Sequence, residues 1–388
     1  MESSLDGASG LAGGTHRAFE IGDASSVAFA RRGAAQAALL AGLNETDAGR
    51  LAIVITEAAT NILKHAGHGE LLVRACGRGV ELIALDRGPG MADVRAALSD
   101  GHSTAGTPGT GLGAIRRLSD QLALWSQPGH GTALRVLVQQ PGTPGPAQAA
   151  PEIGGVCVPY RGEEVSGDGW QAQADQSGFT LAVADGLGHG AQAHIAATAA
   201  LEVLRRRAGL MPGALMELSH AALQPTRGAA LALARFDLAR SSVSFCGTGN
   251  ISAVAYATGK PGPGDPRPGG AGQRARTGAS APADAPDDAR ASYQLVSRNG
   301  IVGHTMRGAQ EYEFAWRANS VLILHSDGVG TRWDLDAWPG LARQSAVMIA
   351  AVLYRDFARR NDDATVVVVK AQPGVQLTHE NAAAAHPH

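Results

Sequence analysis

A proline-rich segment, QQPGTPGPAQAAPE, interrupts the chain at residues 139–152. Four prolines in fourteen positions leave room for neither a helix nor a strand ladder. The chain has 388 residues, enough for two domains with separate cores, since single domains run roughly 100–200 residues. We therefore predict one domain over residues 16–138, a linker over 139–152 and a second domain over 153–371.

Two other segments also lack the pattern of a folded element. Residues 258–292 are rich in Pro, Gly, Ala, Asp and Arg, and the strand-like runs ISAVAYA and SYQLVSR flank them. This composition predicts a disordered insertion between two strands of one domain. The tail at 372–388 has no apolar period, and we expect it to be flexible.

The overall composition excludes several classes of protein. Net charge is −2 and no long basic run occurs, so a nucleic-acid partner has no electrostatic support. The isolated cysteines Cys76, Cys157 and Cys246 argue against a disulfide framework and a cysteine zinc site, and favour a reducing compartment. The apolar runs are shorter than the roughly 18 residues of a membrane span, and no signal-peptide pattern opens the chain. We expect a cytoplasmic protein without a membrane partner.

Hydrophobic periodicity predicts α+β folds for both domains. The first should contain a strand, helices at 25–43 and 45–65, strands LLVRAC and VELIALD, a helix near Val94, a helix at 113–120 and a closing pair of strands. The second alternates short Val/Ala/Leu strands with two helices, at 191–208 and 212–222, and ends in VLILHSD and ATVVVVK. Helices laid over antiparallel sheet are expected in each.

Polar residues cluster on one predicted helix of the first domain. Glu57 and Asn61 lie four positions apart, and Lys64 and His65 follow, so all four share a helix face. Alone, this pattern fits a solvated polar stripe equally well. Lys64 also fits an exposed helix-end lysine, and His65 a packing or capping residue.

Two glycine-containing motifs follow that helix. DRGPG places Asp86 after an apolar strand, where its carboxylate can accept a hydrogen bond from an adenine amino group. Gly109, Gly111 and Gly113 would let backbone N–H groups approach phosphates ahead of a helix N-terminus. A glycine-rich loop alone is weak evidence, but the three pieces in this order indicate nucleotide binding.

Residues 19–138 resemble the GHKL ATPase superfamily, and most closely its RsbT-like serine kinases, which phosphorylate antagonists of anti-sigma factors. The stretch DRGPGMADVRAALSDGHSTAGTPGTGLGAIRRL carries the likeness. The resemblance implies a GHKL α/β sandwich with Glu57 as catalytic base, Asn61 as Mg²⁺ ligand and Asp86 as adenine contact. It also implies further contacts to ATP from Lys64, Gly88, Gly90, Thr104, Gly109, Gly111, Leu112, Gly113 and Thr132.

The second domain carries four aspartate motifs next to apolar strands: Ser166-Gly167-Asp168, Ala184-Asp185-Gly186, Ser326-Asp327-Gly328 and Asn361-Asp362-Asp363. Strand ends can gather such carboxylates at one sheet edge, and sites of oxygen ligands suit Mg²⁺ or Mn²⁺. Any single Asp-Gly pair is more often an ordinary hairpin turn. Four in a plausible array are harder to explain as turns.

Residues 153–371 resemble the SpoIIE-type branch of the metal-dependent PPM (protein phosphatase 2C-like) phosphatases, through EEVSGD, VADGLGHG, CGTGNI, HSDGV and NDDATVVVV. The resemblance implies an α-β-β-α sandwich holding two Mn²⁺ or Mg²⁺ ions. Asp185 would bridge the ions, helped by the Gly186 carbonyl, Asp327 and Asp362 would hold one, and Asp168 would support the other through water. It gives weaker roles to Asp363 as a ligand, His189 in catalysis and Asn250 in fixing a loop.

The two resemblances together predict a bifunctional switch enzyme of bacterial stress signalling. An ATP- and Mg²⁺-dependent Ser/Thr kinase would be joined to a metal-dependent Ser/Thr phosphatase. The implied substrates are STAS-domain antagonists of anti-sigma factors or related scaffold proteins, and a sigma-factor regulator is a further candidate partner. The first alternative is a phosphatase whose N-terminal domain only senses ATP or binds a partner. The second is a degenerate phosphatase domain that serves as a scaffold. The sequence selects no oligomeric state.

Overall fold

The computed structural model describes residues 10–98, 111–143, 151–258, 273–274 and 290–371. The first part of the chain forms β1 (Gly10–Gly13), β2 (Arg17–Ile21), α1 (Ala24–Leu40), α2 (Glu45–His65), β3 (Gly69–Cys76), β4 (Gly79–Asp86), α3 (Val94–Ala97), α4 (Gly111–Leu118), β5 (Gln121–Ser126) and β6 (Thr132–Gln139). The predicted order of elements in the first domain is confirmed, and helix α2 has the predicted bounds.

The remaining elements alternate strands and helices. They are β7 (Glu152–Val158), β8 (Asp168–Ala174), β9 (Gly178–Gly186), α5 (Ala191–Arg207), α6 (Pro212–Leu223), β10 (Ala229–Asp237), β11 (Ser242–Thr248), β12 (Ser252–Thr258), β13 (Gln273–Arg274), β14 (Arg290–Leu295), β15 (Glu311–Ala315), β16 (Val321–His325), α7 (Ala346–Phe357) and β17 (Ala364–Lys370). Strands β12 and β14 pair antiparallel, so the two strands that flank the predicted insertion are neighbours. The rest of that insertion, apart from 273–274, and the tail at 372–388 lie outside the described residues.

The first domain is a five-stranded antiparallel sheet in the order β2-β3-β4-β6-β5. Helices α1, α2 and α4 cover one face, and their core includes Phe19, Ile55 and Leu82, each almost fully buried. Helix α2 is well defined at its start because the Asn44 side chain accepts a hydrogen bond from the Asp47 backbone N–H at 2.8 Å. Acidic residues in its first turn and basic residues in its last complement the helix dipole.

The second domain is two six-stranded sheets packed face to face. Their orders are β1-β8-β9-β10-β11-β15 and β13-β14-β12-β16-β17-β7. Large side chains fill the space between them, and Phe179 and Phe236 stack with ring centroids 4.4 Å apart. Helices α5 and α6 pack on the outer face of the first sheet and α7 on that of the second. This arrangement confirms the predicted α-β-β-α sandwich and the α+β class.

Two elements differ from the sequence prediction. The second domain was predicted to hold two helices, and that is wrong because α7 is a third. Its sequence, AVMIAAVLYRDF, is buried from Ala346 to Arg355, so it shows no polar face and no helical period. Strand β1 was not predicted either, because a four-residue Gly/Ala/Leu run has no alternation, and it pairs with β8 of the second domain.

Helix α7 packs against both domains. On the side of the first domain it shares a core with Leu72, Ile83, Leu85, Trp125 and Ala133, which lie on the sheet face that α1 and α2 leave open. The first sheet is therefore covered on both faces, once by its own helices and once by a helix of the second domain. None of the helices in the described ranges has the length and hydrophobicity needed to cross a bilayer.

Candidate active sites

The first site lies where helix α2 meets the N-terminus of α4. A Cβ placed on Gly111 would lie 3.1 Å from Asn61 Oδ1 and 3.2 Å from Glu57 Oε2, so the two side chains and the start of α4 are in direct proximity. The four-residue spacing on α2 puts both side chains on the face toward α4. Among the described residues, Asn61 Nδ2 is buried and finds no hydrogen-bond partner. An unpaired polar group of this kind is costly unless a ligand satisfies it.

Asp86 stands at the end of β4, on the predicted adenine side of the site. Its Oδ1 accepts a hydrogen bond from the Gly88 backbone N–H at 2.8 Å, and it pairs with Thr132 of β6 in the sheet register. Burial raises the pKa of Asp86, while hydrogen bonds from Gly88 and Thr132 and the charge of Arg355 act in the opposite direction. The carboxylate is thus held in a fixed direction by its own turn.

The turn around Asp86 depends on two glycines with positive φ. Gly90 has φ 72°, and a Cβ there would overlap the carbonyl of Gln127. Gly131 has φ 70°, and a Cβ there would overlap the carbonyl of Asp86. Any other residue at either position would be strained and would displace the loop beside the site.

The structure describes some of the other residues predicted at this site. Lys64 and His65 are exposed on the last turn of α2. Leu112 is partly buried against the core and Gly113 is buried within α4. Thr104 and Gly109 lie outside the described residues. Their roles, like that of Lys64, stay predictions.

The second site gathers the ends of four strands. Asp168 begins β8 and is paired directly with Asp185 of β9. Asp327 comes two residues after β16, and Asp362 with Asp363 directly precedes its neighbour β17. The β sandwich thereby brings together aspartates that are far apart in the sequence, as the motifs predicted.

The electrostatics of these carboxylates show that they crowd one another. Burial, followed by repulsion from Asp168, Asp327 and the two carboxyls before β17, raises the pKa of Asp185 to about 9. The pKa of Asp168 rises to about 7, again mainly through burial. Burial is also the main cause of the raised pKa values of Asp362 and Asp363. A bound cation would relieve this repulsion.

Neighbouring groups fix part of the cluster and leave part of it free. The Tyr160 backbone N–H donates to Asp363 Oδ1 at 2.8 Å, and Asn250 Nδ2 donates to Asp327 Oδ2 at 2.6 Å. Within the part of the chain that the structure describes, the Oδ2 atoms of Asp168 and Asp363 are buried and have no hydrogen-bond partner. Orphaned oxygens in an all-oxygen donor set fit Mg²⁺ or Mn²⁺. Within the described ranges, however, no three acidic, histidine or cysteine side chains are already grouped as a metal centre.

Two further residues near these sites have a place in the structure. His189 is exposed beside the carboxylates, with Nδ1 2.8 Å from Glu163 Oε1 and its ring 4.8 Å from that of Tyr160. Its catalytic role stays a prediction. Arg355 of α7 lies at Asp86 and was missed by sequence reasoning, because nothing local in the sequence indicates a contact across more than 260 residues.

The fold is that of a histidine kinase-like ATPase domain followed by an α-β-β-α sandwich. Residues 22–138 match the histidine kinase-like ATPase domain family. The chain is 36% identical over 100 residues to the serine/threonine-protein kinase RsbT of Bacillus subtilis (strain 168), covering 25% of this chain and 75% of RsbT. It belongs to the family of histidine kinase-like ATPases that includes RsbT.

The chain also matches solved structures of the SpoIIE and RsbX type. One is RsbX in complex with magnesium, with TM-score 0.45 and 18% identity over 58% of this chain and 97% of RsbX. Another is the PP2C phosphatase domain of SpoIIE from Bacillus subtilis with a fragment of its regulatory domain, with TM-score 0.41 and 16% identity over 76% of this chain and 79% of that one.

Proposed function

We propose that the protein is a bifunctional switch enzyme, an ATP-dependent Ser/Thr protein kinase joined to a metal-dependent Ser/Thr phosphoprotein phosphatase. The observation that carries the kinase half is the meeting of Glu57, Asn61 and the start of α4 at Gly111. The likeness to RsbT supports the proposed substrate class, which is a STAS-domain antagonist of an anti-sigma factor or a related scaffold protein. A regulator of a sigma factor is a further partner of the same kind.

In the kinase reaction each group of the first site has one task. Asp86 accepts a hydrogen bond from the adenine amino group, and backbone N–H groups at the start of α4 hold phosphate oxygens. Glu57 takes the proton of the substrate hydroxyl as its oxygen bonds to the γ-phosphorus and the bond to ADP breaks. Asn61 would hold Mg²⁺, whose chemistry is to neutralise charge on the phosphates.

In the phosphatase reaction the carboxylates of the second site would hold the ions. The residues that would hold them are Asp185 with the Gly186 carbonyl, Asp327 and Asp362, with Asp168 in support. Two divalent ions supply an activated water and a clamp for the phosphate. Asn250 keeps the Asp327 carboxylate oriented, and the Tyr160 N–H does the same for Asp363. No side chain of this site is required as a covalent nucleophile.

A paired labelling assay tests both activities on one substrate. The full chain is incubated with Mg²⁺ or Mn²⁺, ATP labelled at the γ-phosphate and a STAS-domain protein, and retention of label is followed. We expect label to accumulate with Asp185→Asn, which disables the phosphatase, and to turn over with the wild type. Asp237→Asn is the matched control, because Asp237 lies at the opposite end of the same β9–β10 ladder.

The second variant of the assay is Glu57→Gln in the Asp185→Asn background. It should lower the rate of label transfer at least about 100-fold and leave ATP binding nearly intact, because a general base contributes about 10²–10⁴ in rate. Glu45→Gln, at an exposed position of the same helix, should change nothing. Undiminished transfer with Glu57→Gln would remove Glu57 from the role of base. ATP binding without transfer in any variant would support the alternative, a phosphatase whose first domain senses ATP.

A further inference from the structure

An arginine of the second domain reaches the nucleotide site of the first. Arg355 lies in the last turn of α7, and its Nη1 donates a hydrogen bond to the carbonyl oxygen of Asp86 at 3.1 Å. In return, Arg87 Nη2 donates to the carbonyl of Arg355. The Asp86 carbonyl and the Arg87 side chain are therefore both tied to the same residue of α7.

The guanidinium of Arg355 is held rigidly. Its Nε and Nη2 bind both carboxylate oxygens of Asp356, at 2.8 and 2.9 Å, and it lies over the Trp125 ring, 5.5 Å from the centroid. Its side chain is only 5% exposed. A planar guanidinium fixed in this way loses little further entropy when it orients a neighbouring group.

The contact falls on the residue whose direction matters for base recognition. The Asp86 carbonyl is contacted from two sides. Gly131 packs so closely against it that a Cβ on Gly131 would overlap it, and Arg355 donates a hydrogen bond to it. Because these contacts fix the Asp86 peptide, they also fix the direction in which the Asp86 carboxylate projects from the end of β4. The positive charge of Arg355 also favours the ionised, hydrogen-bond-accepting form of Asp86.

We propose that Arg355 is a positioning residue of the adenine nucleotide site, so that the second domain completes the ATP site of the first. This inference rests on the proposed nucleotide site and adds to it a group from outside the ATPase domain. It implies that the ATPase domain has its full selectivity for adenine only while α7 is docked on its sheet.

The test is nucleotide binding by the full chain, measured by calorimetry with the non-hydrolysable analogues of ATP and GTP in the presence of Mg²⁺. Arg355→Met, which keeps the length of the aliphatic stem, should weaken binding of the ATP analogue about 10-fold and reduce the preference for adenine over guanine. Arg355→Lys keeps the charge and should recover part of both. Arg161→Ala is the matched control, because Arg161 also crosses to the first domain, to Glu20 at 2.8 Å, from a site 70% exposed.

The ratio of the two affinities separates positioning from general support of the interface. If Arg355 only stabilises the contact between domains, Arg355→Met should lower thermal stability and leave the adenine preference unchanged, which would overturn the proposal. If Arg355→Met does not fold, Asp356→Asn takes its place in the test. It removes the charged partner that holds the guanidinium, and the proposal then predicts a smaller loss of adenine preference. A wild type without adenine preference, or an Asp86→Ala variant that keeps it, would overturn the proposed nucleotide site itself.

Discussion

At the scale of single residues, the second site contains more negative charge than its own protein groups neutralise. The raised pKa of Asp185, about 9, reflects burial first and then repulsion from the surrounding aspartates. Its folded-state pKa lies above the usual value, so its contribution to stability is present at low pH and is lost as the pH rises through about 9. Without metal, the site therefore opposes folding near neutral pH and above.

This imbalance predicts that a loss of function at Asp185 brings a gain of stability. In the presence of EDTA at pH 8, Asp185→Asn should raise the free energy of unfolding by about 1–3 kcal/mol, because it removes a buried and repelled carboxyl. Adding Mn²⁺ should stabilise the wild type and have little effect on the variant. Urea unfolding with and without metal measures both. An equal response to Mn²⁺ in the two proteins would place the ion elsewhere.

The residues that sequence could identify are those whose partners are local or whose motif marks a strand end. Glu57 and Asn61 share a helix face by their spacing alone, and Asp185 and Asp327 stand in Asp-Gly pairs beside apolar strands. The contact of Arg355 with Asp86 has no such signal, because it is created by the docking of two domains. Distances and orphaned oxygens likewise depend on packing that no motif encodes.

At the scale of elements, helix α7 shows why the domain contact escaped prediction. Its apolar residues point both to its own sheet and to the first domain, and this removes the polar face that marks a surface helix. Strand β4 carried a related signal, since GVELIAL is a continuous apolar run apart from Glu81, as expected for a strand covered on both faces. That run indicated a second covering layer without identifying it.

The shared core predicts a measurable cost for cavities between α7 and the first sheet. Ile83→Ala should lower the free energy of unfolding by about 2–4 kcal/mol, because Ile83 is fully buried there. Ile53→Ala is the matched control, since Ile53 is 49% exposed on α2 and its loss should cost less than about 0.5 kcal/mol. Urea denaturation followed by intrinsic fluorescence gives both values. Equal costs would mean that the docked face is not packed in solution.

At the scale of the whole molecule, the two domains also meet through charged groups. Glu20 of the first domain faces Arg161 at 2.8 Å and Arg360 at 3.5 Å. A second connection passes through the chain before β2, where the backbone N–H of His16 donates to the Cys157 carbonyl at 2.7 Å and its ring lies 3.3 Å from Glu81. A cleft of about 870 Å³ lies beside these contacts, lined by both domains.

Glu70 makes this boundary sensitive to pH. Its Oε1 lies 3.4 Å from the Tyr354 hydroxyl of α7, and burial raises its pKa to about 7. The hydrogen bond from Tyr354 and the charges of Arg360 and Arg87 act against that rise, while Glu20 adds to it. A carboxyl raised in this way stabilises the folded state below its ordinary pKa, and that contribution is lost as the pH rises through about 7.

The expected result is that stability falls between about pH 5 and pH 8 and that Glu70→Gln removes part of the fall. The amide carries no charge at any of these pH values, so the variant should exceed the wild type by about 1–2 kcal/mol at pH 8 and differ little at pH 5. Urea unfolding across this range measures the difference, with Glu45→Gln on exposed α2 surface as the control. Parallel pH profiles for wild type and Glu70→Gln would show that the boundary titrates through another group. A difference that grows between about pH 5 and pH 7 and then stays constant would instead tie the docking of α7 to the protonation of this one carboxyl.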